Sequence, residues 1–580
     1  MKKIIVCLGF LCGIVVAQLH AQKVMRVYNS EGTVATYSVS NIDSLNFSAN
    51  MINMLLYANG ANTNYAVASI DSIVFGDAPS VDSSAIYVYY EGDTAKVVHY
   101  ITSTNFVVSV SGANVTITNT AGLANLQYYL SGTTSDGSFT LESDSKFDLI
   151  LNGVSITSKT TIPIKLTKKK DRNIIIANGT SNVLTDNTAN NGKAVINTKG
   201  ATCIKGGGTL VVNANKKNGI SSDYDITIES GTITVNNTAN ASKGIKADGN
   251  IYIKGGDITV NPSGSLTLEA VGSGYDPSYC AAIAADSNIN ISGGKITITI
   301  PSENYAGRGI KADGNISISD GTISIVSNSN GGTYVDTTGT TDSYKSSCIK
   351  ADGTITFLGG EITLRTTGTG GKCVTADSFI YIGTADNNAE HLILNMTTTG
   401  AKFYVSGSGR NEDYSNPKAL KAKGNLYVYG GNINISTAQD GGEGLESKDT
   451  VFIKGGTIEM ETYDDAINGT NHIQIEGGTI YGYSSNNDAI DANGTMTITG
   501  GLIIAAGQTS PECSFDCDNN TFKITGGILV GIGGSPSTPT SNVCTQRSLI
   551  YGGINSGTAL QIVNSANTEL LTFKVPTIRN

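Results

Sequence analysis

Residues 244–260 read GIKADGNIYIKGGDITV. Apolar and polar residues alternate in short runs, and Asp-Gly and Gly-Gly separate the runs. Alternation at period two marks half-buried strands, and those dipeptides mark tight turns. The unit recurs at Ala282 (AIAADSNINISGGKITI), Gly309 (GIKADGNISISDGTISI), Cys348 (CIKADGTITFLGGEITL) and Ala419 (ALKAKGNLYVYGGNINI). Further copies start at Gly444, Ala466 and Ala489, and weaker ones at Cys203, Gly219, Cys373 and near Phe515. The tidiest copies begin 22 to 25 residues apart. Three short strands in that length make one coil of a solenoid; a propeller blade needs about 40–50 residues.

The expected fold is therefore all-β: a right-handed, single-stranded parallel β-helix of about a dozen rungs. Each rung lies on the last at about 4.8 Å. Ile251 and Ile253 then stack on Ile289 and Ile291, and these on Ile316 and Ile318. Insertions at 263–281, 326–347 and 383–417, rich in Gly, Ser, Thr, Tyr and Asp, project from one side, often the binding side of a solenoid.

Outward from the repeat, residues 1–21 read as a signal peptide. Lys2 and Lys3 precede an apolar run, and Leu19-His20-Ala21 offers a cleavage site. A secreted or outer-surface protein is expected. The rest of the chain contains no run of 18 apolar residues, so no transmembrane segment is expected. Residues 22–78 hold two short β repeats, VMRVYNSEGTVATYSVSNIDSLNF (24–47) and MLLYANGANTNYAVASIDSIVF (54–75). Residues 79–145 read as a β-rich entry segment that caps the first coil, 146–535 as the β-helix, and 536–580 as C-terminal strands.

The formal net charge of −10 becomes −12 once the signal's two lysines are removed. That balance argues against nucleic acid as partner and suits bound cations or neutral glycans. Seven of nine cysteines remain, an odd number and no disulfide framework. Cys203, Cys280, Cys348 and Cys373 recur near one repeat position and read as small buried hydrophobes, with a Cys348–Cys373 bridge as the alternative.

Three columns carry candidate chemistry. Asp223, Asp248, Asp286, Asp313, Asp352 and Asp377 end successive first strands. Stacked carboxylates repel unless a cation bridges them, which makes Asp286, Asp313, Asp352 and Asp377 a metal candidate. Lys246, Lys311 and Lys350, two positions earlier, could instead pair with them, and an Asp-Gly turn explains the aspartate by itself. The stretches DGGEGLES, YDDAIN and NNDAIDAN place Glu443, Glu446, Asp464, Asp465, Asp488 and Asp491 on three neighbouring rungs. Calcium takes six to eight oxygens with loose geometry, which such turns can supply; solvated acidic turns are the alternative. Tyr381, Tyr427 and Phe452 share one outward position, with Tyr429 two further along. Exposed rings in a row could hold sugar, or could simply stack between strands.

Catalytic machinery is sparse. Beyond residue 21 the histidines are His99, His391 and His472, each isolated, and neither GxSxG nor HExxH occurs. No catalytic residue is assigned. A calcium-dependent lyase would need a basic residue beside the metal, for which Lys311 or Lys350 would serve.

The run from KALKAKGNLYVYGG (418–431) through DGGEGLES and YDDAIN to NNDAIDANGTMTITGG (486–501) resembles the carbohydrate-binding β-helix proteins first described in cellulose-degrading clostridia. LILNGVSITS (149–158) and GGGTLVVNANKKNGISSDYDITIESGTITV (206–235) are similar to that family's opening coils. The resemblance spans about residues 145–535. It implies a polysaccharide-lyase-like β-helix that binds a cellulose-like or pectic polysaccharide rather than degrading it. It also implies Ca2+ at Glu443, Glu446, Asp464, Asp465, Asp488 and Asp491. The chain stops at TFKVPTIRN, where the resemblance leads one to expect further strands. VSNIDSLNF (39–47) and VASIDSIVF (67–75) resemble segments of secreted Bacteroidetes proteins. Three functions follow as candidates: a polysaccharide-binding protein, a calcium-dependent pectate-type lyase, and a surface adhesin or spacer.

Overall fold

The structure, a computed structural model, describes residues 23–29, 34–77, 82–553 and 557–575. The expected signal peptide lies outside the described residues. The chain divides into two compact units, residues 1–84 and 85–580. No α-helix occurs among the described residues, and no helix is long and apolar enough to cross a membrane.

In the first unit each short β repeat becomes two strands, a 3₁₀ turn and a third strand. The third strands are exchanged: Ile70–Asp77 of the second repeat pairs antiparallel with Lys23–Asn29 of the first. Ile42–Phe47 of the first repeat pairs with Asn53–Ala58 of the second. Met25, Val27, Met54 and Leu56 are buried between these strands.

The second unit is a stack of parallel strands in the arrangement of a β-helix. In the coil of residues 243–262, Lys243–Ala247 joins a 16-stranded sheet, while Ile251–Ile253 and Asp257–Pro262 join a 28-stranded one. The register is the one counted from the repeat. Ile251 pairs with Ile289 and Ile289 with Ile316; Ile253 pairs with Ile291 and Ile291 with Ile318. All six side chains are fully buried or nearly so. Burying each contributes about 1.5–3 kcal/mol, and only because a neighbouring coil covers it. The second glycine of each Gly-Gly turns the chain between the last two strands. Gly256 and Gly478 sit there at φ +92° and +93°, a conformation that favours glycine. The coil beneath is so close that a Cβ on Gly256 would stand 3.0 Å from the Gly231 carbonyl oxygen.

Parallel pairing already runs through residues 85–145. Ala85–Glu91 pairs with Leu126–Thr134, and Ala113–Asn119 with Gly137–Ser143. Antiparallel strands Thr94–Val98 and Phe106–Ser111 close the first edge of each sheet. Past Ile528–Ile532, the backbone N–H groups of Ser537, Thr540 and Thr545 bond to the carbonyls of Phe515, Phe522 and Ile524. All seven cysteines beyond residue 21 are free, and Cys280, Cys348 and Cys373 are fully buried.

The stretch 383–417 is not one insertion. Ile393–Thr398 within it is a coil strand, paired with Glu361–Thr366 and Asn432–Thr437. An interposed loop masks its alternation in the sequence. What projects are three hairpins: Thr267–Val271 with Gly274–Ser278, Gly332–Val335 with Thr341–Tyr344, and Phe403–Ser406 with Asp413–Ser415. Each lies between a third strand and the next first strand, beside the 16-stranded sheet, and the hairpins pack on one another.

Candidate functional site

The first strands of the coils carry the charges. One outward column of the 16-stranded sheet runs Lys311, Lys350, Thr375, Lys421, Glu446, Asn468, Asp491, Asp516. The adjoining column runs Arg308, Ser347, Lys372, Lys418, Glu443. Both change from basic to acidic in the same direction along the stack. On each strand the two positions lie three residues apart, with two buried residues between them, as Gly309 and Ile310 lie between Arg308 and Lys311.

The aspartate ladder carries its own cations. Lys246 Nζ lies 2.9 Å from Asp248 and 2.5 Å from Asp286. Lys311 pairs with Asp313 and, at 2.9 Å, with Asp352. Lys350 spans Asp352 at 3.2 Å and Asp377 at 2.7 Å, and Lys423 meets Asp377 at 3.0 Å. The ammoniums of Lys246, Lys311 and Lys350 thus sit between carboxylates of successive coils. At Asp352 and Asp377 burial raises the carboxyl, but the neighbouring lysines outweigh it and hold it below the usual range.

The denser acidic group splits in two. Glu443 pairs with Lys418. Glu446 is almost fully buried and meets Lys448 at 2.5 Å, Lys421 at 3.1 Å and Lys418 at 3.9 Å. Burial alone would raise its carboxyl, yet the three lysines hold it at about 2. One coil on, the lysines end. Asp465 is 3% exposed; its Oδ2 accepts a 2.9 Å hydrogen bond from Asn468 Nδ2, and its Oδ1 is buried without a partner. Asn468 Nδ2 also donates to Asp491 Oδ2 at 3.1 Å. Asp488, Asp491 and Asp516 each bring an oxygen within 4.8 Å of the other two. Among the described residues no lysine or arginine pairs with Asp465, Asp488, Asp491 or Asp516. Burial, with neighbouring carboxylates, pushes Asp491 up to about 7 and Asp465 well above the ordinary range. Burial first and then nearby acids lift Asp488 to about 6, although its Oδ1 accepts the Cys513 N–H at 2.5 Å. Asp464 accepts a 2.5 Å hydrogen bond from Asn487.

Sequence reasoning missed Asp516. Its signal lies in the weak copy near Phe515: Ile490-Asp491 there becomes Phe515-Asp516, in register. It missed Lys372, Lys418 and Arg308 as well, each of which stands one residue ahead of a copy, at Cys373, Ala419 and Gly309.

The aromatic column has the expected register. Tyr381 stacks on Tyr427 at 4.8 Å and 5°, and Tyr427 on Phe452 at 4.9 Å and 3°. Tyr429 lies 6.4 Å from Tyr427 at 22°. Both faces of Tyr427 therefore meet other rings, and Tyr381, Tyr427, Tyr429 and Phe452 are each half-buried. Asn425 Nδ2 donates to the Tyr427 hydroxyl at 2.9 Å.

The sequence model of the carbohydrate-binding domain-containing protein family matches residues 111–391, 380–466, 403–486 and 442–570. A curated protein of Acetivibrio thermocellus, a carbohydrate-binding domain-containing protein, is 36% identical over 138 residues, which are 22% of this chain and 46% of that protein. The chain thus spans under half the length of this relative. A solved structure, of the polysaccharide lyase-like protein from C. thermocellum as a gadolinium derivative, is 24% identical. It covers 48% of this chain and 93% of its own, with a TM-score of 0.30. The matches run through the EGLES, DDAIN and NDAID coils that carry the resemblance, and the chain belongs to the family of carbohydrate-binding domain-containing proteins.

Proposed function

We propose that the chain is exported and binds polysaccharide, a cellulose-like or pectic glycan, at the outside of the cell with the help of bound calcium. One observation carries the reading: in a member of a carbohydrate-binding family, Asp488, Asp491 and Asp516 converge without a compensating cation, and Asn468 joins Asp465 to Asp491. The donor set fits calcium, being all carboxylate oxygen, with Asp465 Oδ1 buried and unpartnered. The ion would supply the positive charge this corner of the fold lacks, and with it a site for sugar oxygens. Glu443 and Glu446 fit the same role less well, since lysine ammoniums already occupy their oxygens. The Lys2–Lys3 start and the apolar run after it support export. Right-handed winding of about a dozen rungs accords with the hand that parallel strand crossovers take almost without exception.

Binding is the better reading than elimination chemistry. A lyase needs a basic residue free to take a proton, and Lys311 and Lys350 are each clamped between two carboxylates. A glycan array probed with calcium and again with chelator tests the proposal. Retention that chelator removes is the expected result; no retention on any glycan would contradict it.

A further inference from the structure

A cleft of about 650 Å³ lies between the basic half of the 16-stranded sheet and the two hairpins at 332–344 and 403–415. Eight cationic and five acidic side chains line it, a local excess of three positive charges in a chain of net charge −10. Five of the cations are matched. Lys350 and Lys423 pair with Asp377, and Lys418, Lys421 and Lys448 with Glu443 or Glu446. Among the described residues the other three, Arg308, Lys345 and Lys372, have no carboxylate within 4 Å.

These three are built into the wall. Lys372 is 5% exposed and donates only to neutral carbonyls, Asn416 O at 2.8 Å and Gly370 O at 3.3 Å. The Arg308 guanidinium lies 3.4 Å over the ring centre of Tyr279, and its Nε is buried with no hydrogen-bond partner. Lys345 comes in from the end of the first hairpin. Burial lowers the Lys372 ammonium well below its ordinary value, and Lys345, Lys421 and Lys418 lower it further. Burial also lowers the Lys345 ammonium, with Lys423 and Arg308 adding to the effect and Asp342 and Asp413 opposing it. Buried like charges are costly until an anion joins them. Elsewhere on this sheet Lys246 and Lys311 each have aspartates on both sides.

We propose that this cleft is an oxyanion subsite that takes the carboxylate or sulfate group of an acidic glycan, held by Arg308, Lys345 and Lys372 without a bridging metal. Its volume suits sugar rings rather than a lone inorganic anion. Tyr279, Tyr334 and Tyr414 line the walls, where they can meet a sugar ring. Arginine and lysine recognise such groups by charge-assisted hydrogen bonds, strongest where water is excluded. The inference rests on the reading that the chain binds glycan, but it concerns a site apart from the calcium candidate.

The test uses the full chain in chelator, with polygalacturonate, dextran sulfate and cellulose as probes in affinity electrophoresis. Retardation by polygalacturonate alone supports a carboxylate ligand, by dextran sulfate alone a sulfate ligand, and by both a general oxyanion site. Rising salt should weaken the retardation. Lys345→Ala at the hairpin and Arg308→Gln should each weaken binding about tenfold, with an unchanged unfolding midpoint. If Arg308→Gln unfolds, Lys345→Ala alone decides. Retardation by neither acidic polymer, or variants that bind like the parent, would overturn the subsite. Calcium-dependent glycan retention, the test of the proposed function, should survive Lys345→Ala, so the two proposals fail separately.

Discussion

Asp491 stands in direct register with Asp516 on the next coil, and Asp488 completes a set of three oxygens within 4.8 Å of one another. At that separation each pair of ionised carboxylates repels by about 3 kcal/mol at an effective dielectric of about 20. The fold tolerates this only if protons or a cation join the site. Two coils back the equivalent problem is solved by protein, since Lys421 donates to Glu446 at 3.1 Å.

Calcium should therefore stabilise the chain. At a free concentration about a hundredfold above the dissociation constant, the gain is about 2.7 kcal/mol. The Asp491→Asn and Asp516→Asn variants should lose most of that gain while folding normally in chelator. Thermal unfolding with and without calcium checks it; an equal calcium shift in parent and variants would contradict the assignment.

The same site predicts a pH dependence with a definite sign. Burial first, then like charge, raises Asp488 to about 6 and Asp491 to about 7 in the folded chain, above the unfolded aspartate value of 3.8. The stability they contribute is full below that value and is lost as pH rises through 6 to 7. Metal-free chain should thus be more stable at pH 5 than at pH 8, by about 1–3 kcal/mol. Asp491→Asn should flatten the difference. Calcium affinity should run the other way and rise across this window, because the ion needs ionised oxygens. Glu446, held at about 2, contributes in the opposite sense, and its share is lost only as pH falls from about 4.5 towards 2. Unfolding in denaturant at pH 5 and pH 8 in chelator separates the two.

Glu446→Gln should cost about 3–5 kcal/mol, since it leaves the buried Lys418 and the half-buried Lys421 without their shared anion. Replacing an exposed ladder residue, as in Asp248→Asn, should cost under about 1 kcal/mol. Chemical denaturation of the two variants checks the contrast, and similar losses would refute it.

Tyr427 is held between two rings, so Tyr427→Leu and Phe452→Leu should be coupled by about 0.5–1.5 kcal/mol in a double-mutant cycle. If the column also touches sugar, it does so through edges and hydroxyls. Tyr429→Ala should then weaken glycan retention with little loss of stability. Unchanged retention in both Tyr429→Ala and Tyr381→Ala would limit the column to a structural part.

The register is legible in the sequence wherever a copy of the unit can be aligned from its start, even across an insertion. Ile251 over Ile289 and Tyr381 beside Tyr427 and Phe452 both follow from counting, because every residue added to one strand must be matched on the next. Counting within the unit leaves out positions that lie just outside it. Lys372 and Lys418 are adjacent in register but stand one residue ahead of the copies that start at Cys373 and Ala419. Lys345 reaches the cleft from a hairpin that follows no repeat. Asp516 sits on a first strand reduced to Phe515–Asp516, too short to show a pattern. Charge compensation is legible only in part. The sequence shows aspartates and lysines at fixed offsets, but only the packed coils show Lys350 placed between Asp352 and Asp377 while Asp491 and Asp516 face each other without a cation.

The most direct test is a pull-down on the insoluble polysaccharide that the array identifies, with parent chain and the Asp491→Asn/Asp516→Asn double variant, each in calcium and in chelator. The account predicts that the parent is retained in calcium and released by chelator, and that the folded double variant is poorly retained in both. Equal retention of parent and double variant in calcium would contradict it.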